Sequence, residues 1–316
     1  MKEKKKVHMQ KESLAARAIA KVKGFESLYY RFCRSLSIAG KSKDTIAGYG
    51  SHLAAIALHF GRTPLELSTE DVHDYLYALQ KRSKTPSQTY FKHTVYGLRA
   101  MLKSEGLPDD YFKLPRVKAE NTLPVVLSKE EMWRMLSVSK MLKHRILTGI
   151  LYGCGLRCFE VQNVRLRDLD FDRKQLRVVQ GKGKKDRYVP LSDHLIRGLK
   201  TYIATEKPQE WLFNGRPQCK DGVIIKGRYS KRAIEIAVKQ AVVRAGIQKD
   251  AHVHTLRHSY ATHLLEDGLD IITVKNLLGH SRIQTTMKYL HVMRSNPLAP
   301  FSPLDTLFAQ CARKQK

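Results

Sequence analysis

Six side chains, far apart along the chain, are of types that together can move a phosphoryl group: Arg157, Lys182, His254, Arg257, His280 and Tyr289. They offer a nucleophile, two fixed cations, two imidazoles and a mobile acid. Phosphoryl transfer with side chains in every role needs such a set. Its transition state gathers negative charge on the non-bridging oxygens, which bidentate guanidinium groups offset. A phenol of pKa about 10 must lose its proton as it attacks, so an imidazole helps as base or hydrogen-bond partner. A departing 5′-alkoxide needs an acid, and a lysine on a flexible hairpin can reach it.

Spacing gives these residues local context. In HVHTLRHSYATHLLEDG, His254 and Arg257 stand three apart and share a face at the start of a helix. Free N–H groups and the dipole favour an anion there. His258 lies four from His254, but no H-E-x-x-H pattern or carboxylate triad accompanies the pair, so no metal is expected. His258 and His263 are read as packing or solvent-facing. In LLGHSRIQTTMKYLH, Gly279 ends a helix and Thr285 or Thr286 is read as the cap of a short helix bearing Tyr289. Each residue also has an ordinary explanation. Tyr289 suits a core aromatic with a bonded hydroxyl, Arg157 and Glu160 suit a surface ion pair, and GKGKKD suits a solvated turn. The set is harder to dismiss than its members.

The elements that must position these residues fall into two domains, the default for 316 residues. Residues 1–24 read as a basic, mobile arm. Residues 25–106 show helical periodicity throughout, about four helices, with Ser42 or Asp44 and Ser68 as cap candidates. Lys81, Arg82, Lys84, Tyr90, Lys92 and His93 cluster near the third and fourth of these helices and are read as a DNA-clamping face. Residues 107–127 read as a proline-rich linker. Residues 128–295 open on a capped helix and change period at FDRKQLRVVQ and DRYVPL, which flank GKGKKD as a β-hairpin; EWLFNG is read as a possible third short strand. Residues 296–316 carry Leu304, Leu307 and Phe308 at helical spacing and read as a tail helix.

Composition narrows the partner. Lys and Arg number 57 against 29 Asp and Glu, a formal charge of +28. Self-repulsion on that scale is costly without a polyanion, and nucleic acid is the foremost one. No apolar run reaches the roughly 18 residues of a spanning helix, and no apolar block follows the basic start, so neither membrane nor secretion is expected. A cytoplasmic, nucleoid-associated protein is the reading. The five cysteines include no C-x-x-C pair, which argues against disulfides and zinc. Cys154 and Cys158 are read as small core residues of one helix.

The ordered motifs GLR..E, GKGKKDR.VPL, HTLRHSYATHLLEDG and LLGHS...TT..Y.H resemble the tyrosine recombinase (phage integrase) family across the second domain, in an Xer-like or transposon-type form. The first domain resembles that family's core-binding domain more loosely. The resemblance implies a mainly α fold: an all-helical, SAM-like N-terminal domain and a mostly helical catalytic domain with a small antiparallel β-sheet. It implies that Tyr289 attacks a DNA phosphate to form a 3′-phosphotyrosine bond and release a 5′-hydroxyl. Arg157 and Arg257 would hold the phosphate, His254 would be acid–base partner of the nucleophile, and His280 would bond a phosphate oxygen. Lys182 would protonate the leaving oxygen; Lys184 and Lys185 are rivals, but the family's lysine lies between the two glycines. No metal or nucleotide cofactor is implied. The implied partner is double-stranded DNA at a specific site, bound by a homo- or hetero-tetramer spanning two sites, with the tail docking on a neighbour. Type IB-like topoisomerase activity and a non-catalytic architectural DNA-binding role are the alternatives.

Overall fold

The computed structural model describes residues 12–81, 88–117, 123–179, 186–220 and 223–293. The chain divides into two compact units, residues 1–120 and 121–316. The fold is mainly helical with small antiparallel sheets.

The first unit holds α1 (Leu14–Lys21), α2 (Phe25–Ile38), α3 (Lys43–Phe60), α4 (Thr69–Lys81) and α5 (Gln88–Ser104). Serine caps start α1 and α3: Ser13 accepts from the Ala16 amide and Ser42 from the Thr45 amide. Ser68 and Asp71 exchange side chain-to-backbone bonds in a reciprocal cap. Phe25, Phe32, Leu53, Ile56, Leu98 and Met101 are fully enclosed and form the centre of this unit. Each buries enough apolar surface to stabilise it by roughly 1.5–3 kcal/mol. Residues 14–22 correct the expectation of a free basic arm over 1–24. Helix α1 packs against α3, with Ala18 and Val22 buried. Eight of the first 24 residues are lysine or arginine, but small apolar residues at helical spacing decide the structure of 14–22. Residues 1–11 lie outside the described part.

The second unit runs α6 (Lys129–Ser137), α7 (Leu142–Gly153), α8 (Cys158–Gln162), β1 (Leu169–Asp170), β2 (Gln175–Val178), β3 (Arg187–Pro190), α9 (Asp193–Glu206), β4 (Asn214–Lys220), β5 (Val223–Arg228), α10 (Lys231–Arg244), α11 (Val253–Glu266), α12 (Ile271–Leu278) and α13 (Gln284–Met287). Strands β1, β2 and β3 form an antiparallel sheet in that order, with Leu176 opposite Val189. Leu176, Val178 and Val189 face the core while Arg177 and Tyr188 face out, the period-two pattern of a half-buried sheet. The third strand of this sheet is β1, not EWLFNG. That stretch instead leads into a separate β4–β5 hairpin, with Trp211 bridging to Arg165. Among the described residues no helix is long and apolar enough to cross a membrane.

Cys154 and Cys158 are both buried, but they do not share a helix. Cys154 caps the end of α7 and Cys158 opens α8. Between them Gly155 takes φ +59°, and a Cβ there would stand 2.4 Å from the Tyr260 ring. Only glycine allows this reversal, and the reversal sets the direction in which Arg157 leaves the chain. A small separate cluster of Tyr260, Ala261, Leu265, Val274, Leu278 and Tyr289 seats the C-terminal segment on α11 and α12.

Candidate active site

Glu160 is the centre of the site. It is the third residue of α8, and its carboxylate accepts from the Arg157 backbone N–H at 2.8 Å and from Arg157 Nη1 at 2.7 Å. It also accepts from Arg187 Nη1 and Nη2 at 2.9 and 2.8 Å. Arg257 Nη1 stands 3.7 Å away. Burial alone would raise the pKa of this carboxyl. The hydrogen bond and charge of Arg187, with those of Arg157, outweigh burial and hold it at about 2. One ionised carboxylate therefore sits among three guanidinium groups, and the excess positive charge suits an anion.

Arg257 reaches this point from the first turns of α11. It is 2% exposed, and its Nη1 donates to the Gly155 carbonyl at 2.7 Å while Nη2 donates to that of Leu278. Burial first, then the like charge of Arg157, lowers its pKa. Arg187, on β3, also donates from Nε to the Leu277 carbonyl at 2.8 Å. The C-terminal end of α12 is thus tied to two guanidinium groups. Gly279 caps it at φ +64°, and His280 follows, sharing a 2.9 Å hydrogen bond from Nδ1 to Thr286 Oγ1.

Tyr289 lies beyond α13, 4% exposed. Its ring runs nearly parallel to that of His280, at 18° and 6.3 Å between centroids. Its hydroxyl shares a 3.1 Å hydrogen bond with Nδ1 of His258. Burial raises the phenol's pKa above its ordinary 10.0, against the pull of Arg257 and Arg157. His254 is exposed, one helical turn before His258; their rings stack at 6.3 Å and 27°. Partial desolvation of its ring by neighbouring groups, followed by the charge of Arg257, lowers the pKa of His254.

Two expectations change here. His258 is not merely packing or solvent-facing, since it bonds the phenol. His263 is buried and bonds Tyr152 at 2.8 Å. No threonine side chain caps α13: Ile283 precedes it, and Thr286 lies inside it with its hydroxyl on His280. Tyr289 stands in the turns after that helix.

The structure gathers Arg157, Arg257, His280 and Tyr289 into one site and sets His254 on its rim. Lys182, Lys184 and Lys185 fall outside the described residues; the strands flanking their hairpin are in place, with Arg177 paired to Asp186 at 2.8 Å. Arg82 and Lys84 also fall outside, as does the segment 296–316. In the first unit, Lys81 is exposed at the end of α4 with Nζ 4.5 Å over the Tyr77 ring. The Tyr90 ring lies against that of His52 at 4.3 Å, tilted by 59°, His93 lies 5.8 Å from His52, and Lys92 is half-buried. Sequence reasoning assigned no role to Arg187 or His258. Arg187 stood inside the quoted GKGKKDR.VPL motif, and His258 at one helical turn from His254.

A buried phenol beside two imidazoles, within electrostatic reach of two guanidinium groups, is an arrangement chemically able to move a phosphoryl group. The phage integrase family model matches residues 125–296. The chain belongs to that family, the tyrosine recombinases, and is an enzyme of the site-specific recombinase class. A tyrosine recombinase of Thermosipho africanus (strain TCF52B) is 33% identical over 265 residues, covering 79% of this chain and 89% of the relative. The tyrosine recombinase XerA of Pyrococcus horikoshii (strain ATCC 700860 / DSM 12428 / JCM 9974 / NBRC 100139 / OT-3) is 32% identical over 262 residues, covering 83% and 87%. Among solved structures, a lambda integrase (residues 75–356) dimer bound to a COC′ core site shares the fold at a TM-score of 0.66 and 17% identity, covering 88% of this chain and 97% of that one. XerH recombinase bound to a palindromic difH substrate does so at 0.61 and 19%, covering 89% and 90%.

Proposed function

We propose that this chain cuts and rejoins one strand of duplex DNA at a specific site through a covalent bond between Tyr289 and a 3′ phosphate. The observation that carries this reading is the convergence of the Arg157 and Arg257 guanidinium groups on Glu160, with the buried Tyr289 phenol, from a third distant stretch, close enough to feel both charges. Tyr289 Oη attacks phosphorus, the Oη–P bond forms, the P–O5′ bond breaks, and the 5′ strand leaves as a hydroxyl. Arg157 and Arg257 hold the non-bridging oxygens, where charge builds in the transition state. His280 bonds a phosphate oxygen, and Lys182 gives a proton to O5′. An imidazole of α11, the part expected of His254, receives the phenolic proton. The phosphotyrosine bond conserves the energy of the broken phosphodiester, so rejoining a different 5′-hydroxyl calls for neither metal nor nucleotide.

Double-stranded DNA is the partner. The formal charge of +28 supports this, as do the DNA-bound XerH and lambda integrase structures that share the fold. In this reading Lys81, Arg82, Lys84, Tyr90, Lys92 and His93 of the first unit contact DNA, with Lys184 and Lys185 doing so from the hairpin. Four protomers on two sites, linked through residues 296–316, complete the exchange in the cytoplasm. The test is incubation with a nicked duplex carrying the cognate site, followed by a denaturing gel. A protein–DNA species that survives SDS is expected for the native chain and not for Tyr289→Phe. Tight binding on a verified site with no such species would overturn the proposal.

A further inference from the structure

We infer that Arg165, Arg167 and Arg228, gathered round Trp211, form a second DNA-backbone site in the second unit, apart from the one proposed for the scissile phosphate. The inference rests on duplex DNA being the partner and is independent of the phosphotyrosine step. An open cavity of about 430 Å³ is walled by Phe159, Arg165, Arg167, Val179, Trp211 and Arg228. That volume takes a sugar–phosphate unit rather than a lone ion. The guanidinium carbons of Arg165 and Arg228 lie over the Trp211 ring, 4.6 and 5.2 Å from its centre. Stacking of this kind fixes the plane of a guanidinium and leaves N–H groups at its edge for an anion. Arg167 is exposed and pairs with no acid among the described residues.

Three guanidinium groups line the cavity against one carboxylate, an excess that attracts a polyanion. That carboxylate, Asp168, is buried and accepts from the Arg165 backbone N–H at 3.0 Å. Glu210, outside the lining, reaches Arg165 only at 3.6 Å, an exposed pair that an incoming phosphate displaces at small cost. Phe159 and Val179, 63% and 41% exposed, add apolar surface for the deoxyribose carbons. Asn163 also lines the cavity and is the amide there able to read an adenine edge. Both its ends are engaged: Oδ1 accepts from Arg228 Nη1, and Nδ2 donates to the Phe159 carbonyl at 2.6 Å. What remains on offer is charge and apolar surface, which grips a backbone and reads no sequence.

Position favours DNA over an acidic protein as the occupant. Arg157 caps the start of α8, and Asn163 ends that helix, about 9 Å further on at 1.5 Å per residue. Phosphates follow one another about every 3.4 Å of helix axis along a strand, so DNA seated on Arg157 brings its neighbouring phosphates within reach. On the other wall, Val179 directly follows β2 and stands three residues before Lys182. Both flanking elements thus lead to residues proposed to act on the scissile phosphate. Held at a second point, the duplex cannot pivot about Arg157 and Arg257, and the phosphorus stays in line with Tyr289.

The experiment uses Trp211 as its own reporter. The chain has two tryptophans, and Trp133 is 71% exposed on α6, so Trp133→Phe leaves the core intact and Trp211 as the sole indole. Trp211 is half-buried, and acrylamide quenches its fluorescence until something covers the cavity. Bound duplex should remove most of that quenching. Arg167→Ala, titrated between about 50 and 200 mM salt, should bind cognate and unrelated duplexes alike about tenfold more weakly, with a salt slope shallower by about 0.9. Undiminished quenching in the DNA complex, or native affinity and slope in Arg167→Ala, would overturn the inference. A loss confined to the cognate duplex would mark base reading and overturn it too. So would shielding of Trp211 by poly-glutamate but not by duplex, which would give the cavity to an acidic protein segment. A covalent adduct formed while Trp211 stays open to acrylamide sinks this site and spares the strand-cutting reading. Shielding by the cognate duplex with no adduct does the opposite.

Discussion

Arg187 lays both terminal nitrogens on the Glu160 carboxylate, at 2.9 and 2.8 Å. With its third nitrogen on the Leu277 carbonyl, it ties β3, α8 and α12 at one point. Arg157 and Arg257 lean on the same carboxylate. The consequence is mechanical as well as electrostatic, because the residues proposed to hold the phosphate share one anchor.

Neutralising that anchor tests it. Glu160→Gln leaves three guanidinium groups without their counter-charge in a buried place, a change that costs about 3–5 kcal/mol in comparable pairs. A Tm lowered by several degrees at neutral pH is the expected result, and an unchanged Tm would show that solvent already compensates the cluster. The sign with pH follows from the depressed pKa. The native carboxyl titrates at about 2 against an ordinary 4.5, so its contribution is complete above about pH 4.5 and fades as pH falls toward 2.

Gly279→Ala probes the joint between α12 and His280. Gly279 has φ +64°, where an L side chain costs roughly 1–2 kcal/mol. The new Cβ would also stand 3.2 Å from the Cδ and Nη1 atoms of Arg187. Lower stability and slower adduct formation with DNA affinity intact are expected, measured by thermal melts, cleavage and binding assays. Native cleavage would show that Arg187 shifts freely.

Thr286→Val keeps the shape of the side chain but removes the hydroxyl shared with His280 Nδ1. One such hydrogen bond is worth about 0.5–1.5 kcal/mol, so cleavage should slow by up to about tenfold with little change in Tm. Equal rates for the two proteins would mean that packing against Tyr289, rather than this bond, orients His280.

In the first unit, His52 is buried between α3 and α5, bonded to Thr94 at 2.9 Å. Burial first, then His93, pushes its pKa down to about 4 from an ordinary 6.5. The unfolded chain therefore binds the extra proton first, and stability falls as pH drops from about 6.5 toward 4. The loss reaches at most about 3 kcal/mol. A melting series from pH 7 to pH 5, run beside His52→Leu, should show a drop that the variant largely lacks.

The helices that carry the candidate site were legible because local rules govern their ends. Asp270 and Gly279 bound α12, and Ser128 with Glu131 opens α6, as their caps dictate. What stayed hidden depends on contacts between distant segments. His254 and His258 occupy the same face of α11, and which of them meets the phenol is decided by where the 280–289 segment lands on that helix. A displacement of one turn exchanges them, and no local pattern encodes it. Arg187 was likewise obscure, because a basic residue next to a run of lysines looks solvated until Glu160 is seen opposite. In α1 the error ran the other way: charge drew attention from Ala18 and Val22, which bury.

The seclusion of Tyr289 matters beyond catalysis. With its ring 4% exposed, the hydroxyl is withheld from whatever polymer the cationic surface happens to collect. If Tyr289 is the nucleophile proposed above, this concealment keeps it from cutting DNA that the cationic surface holds only in passing.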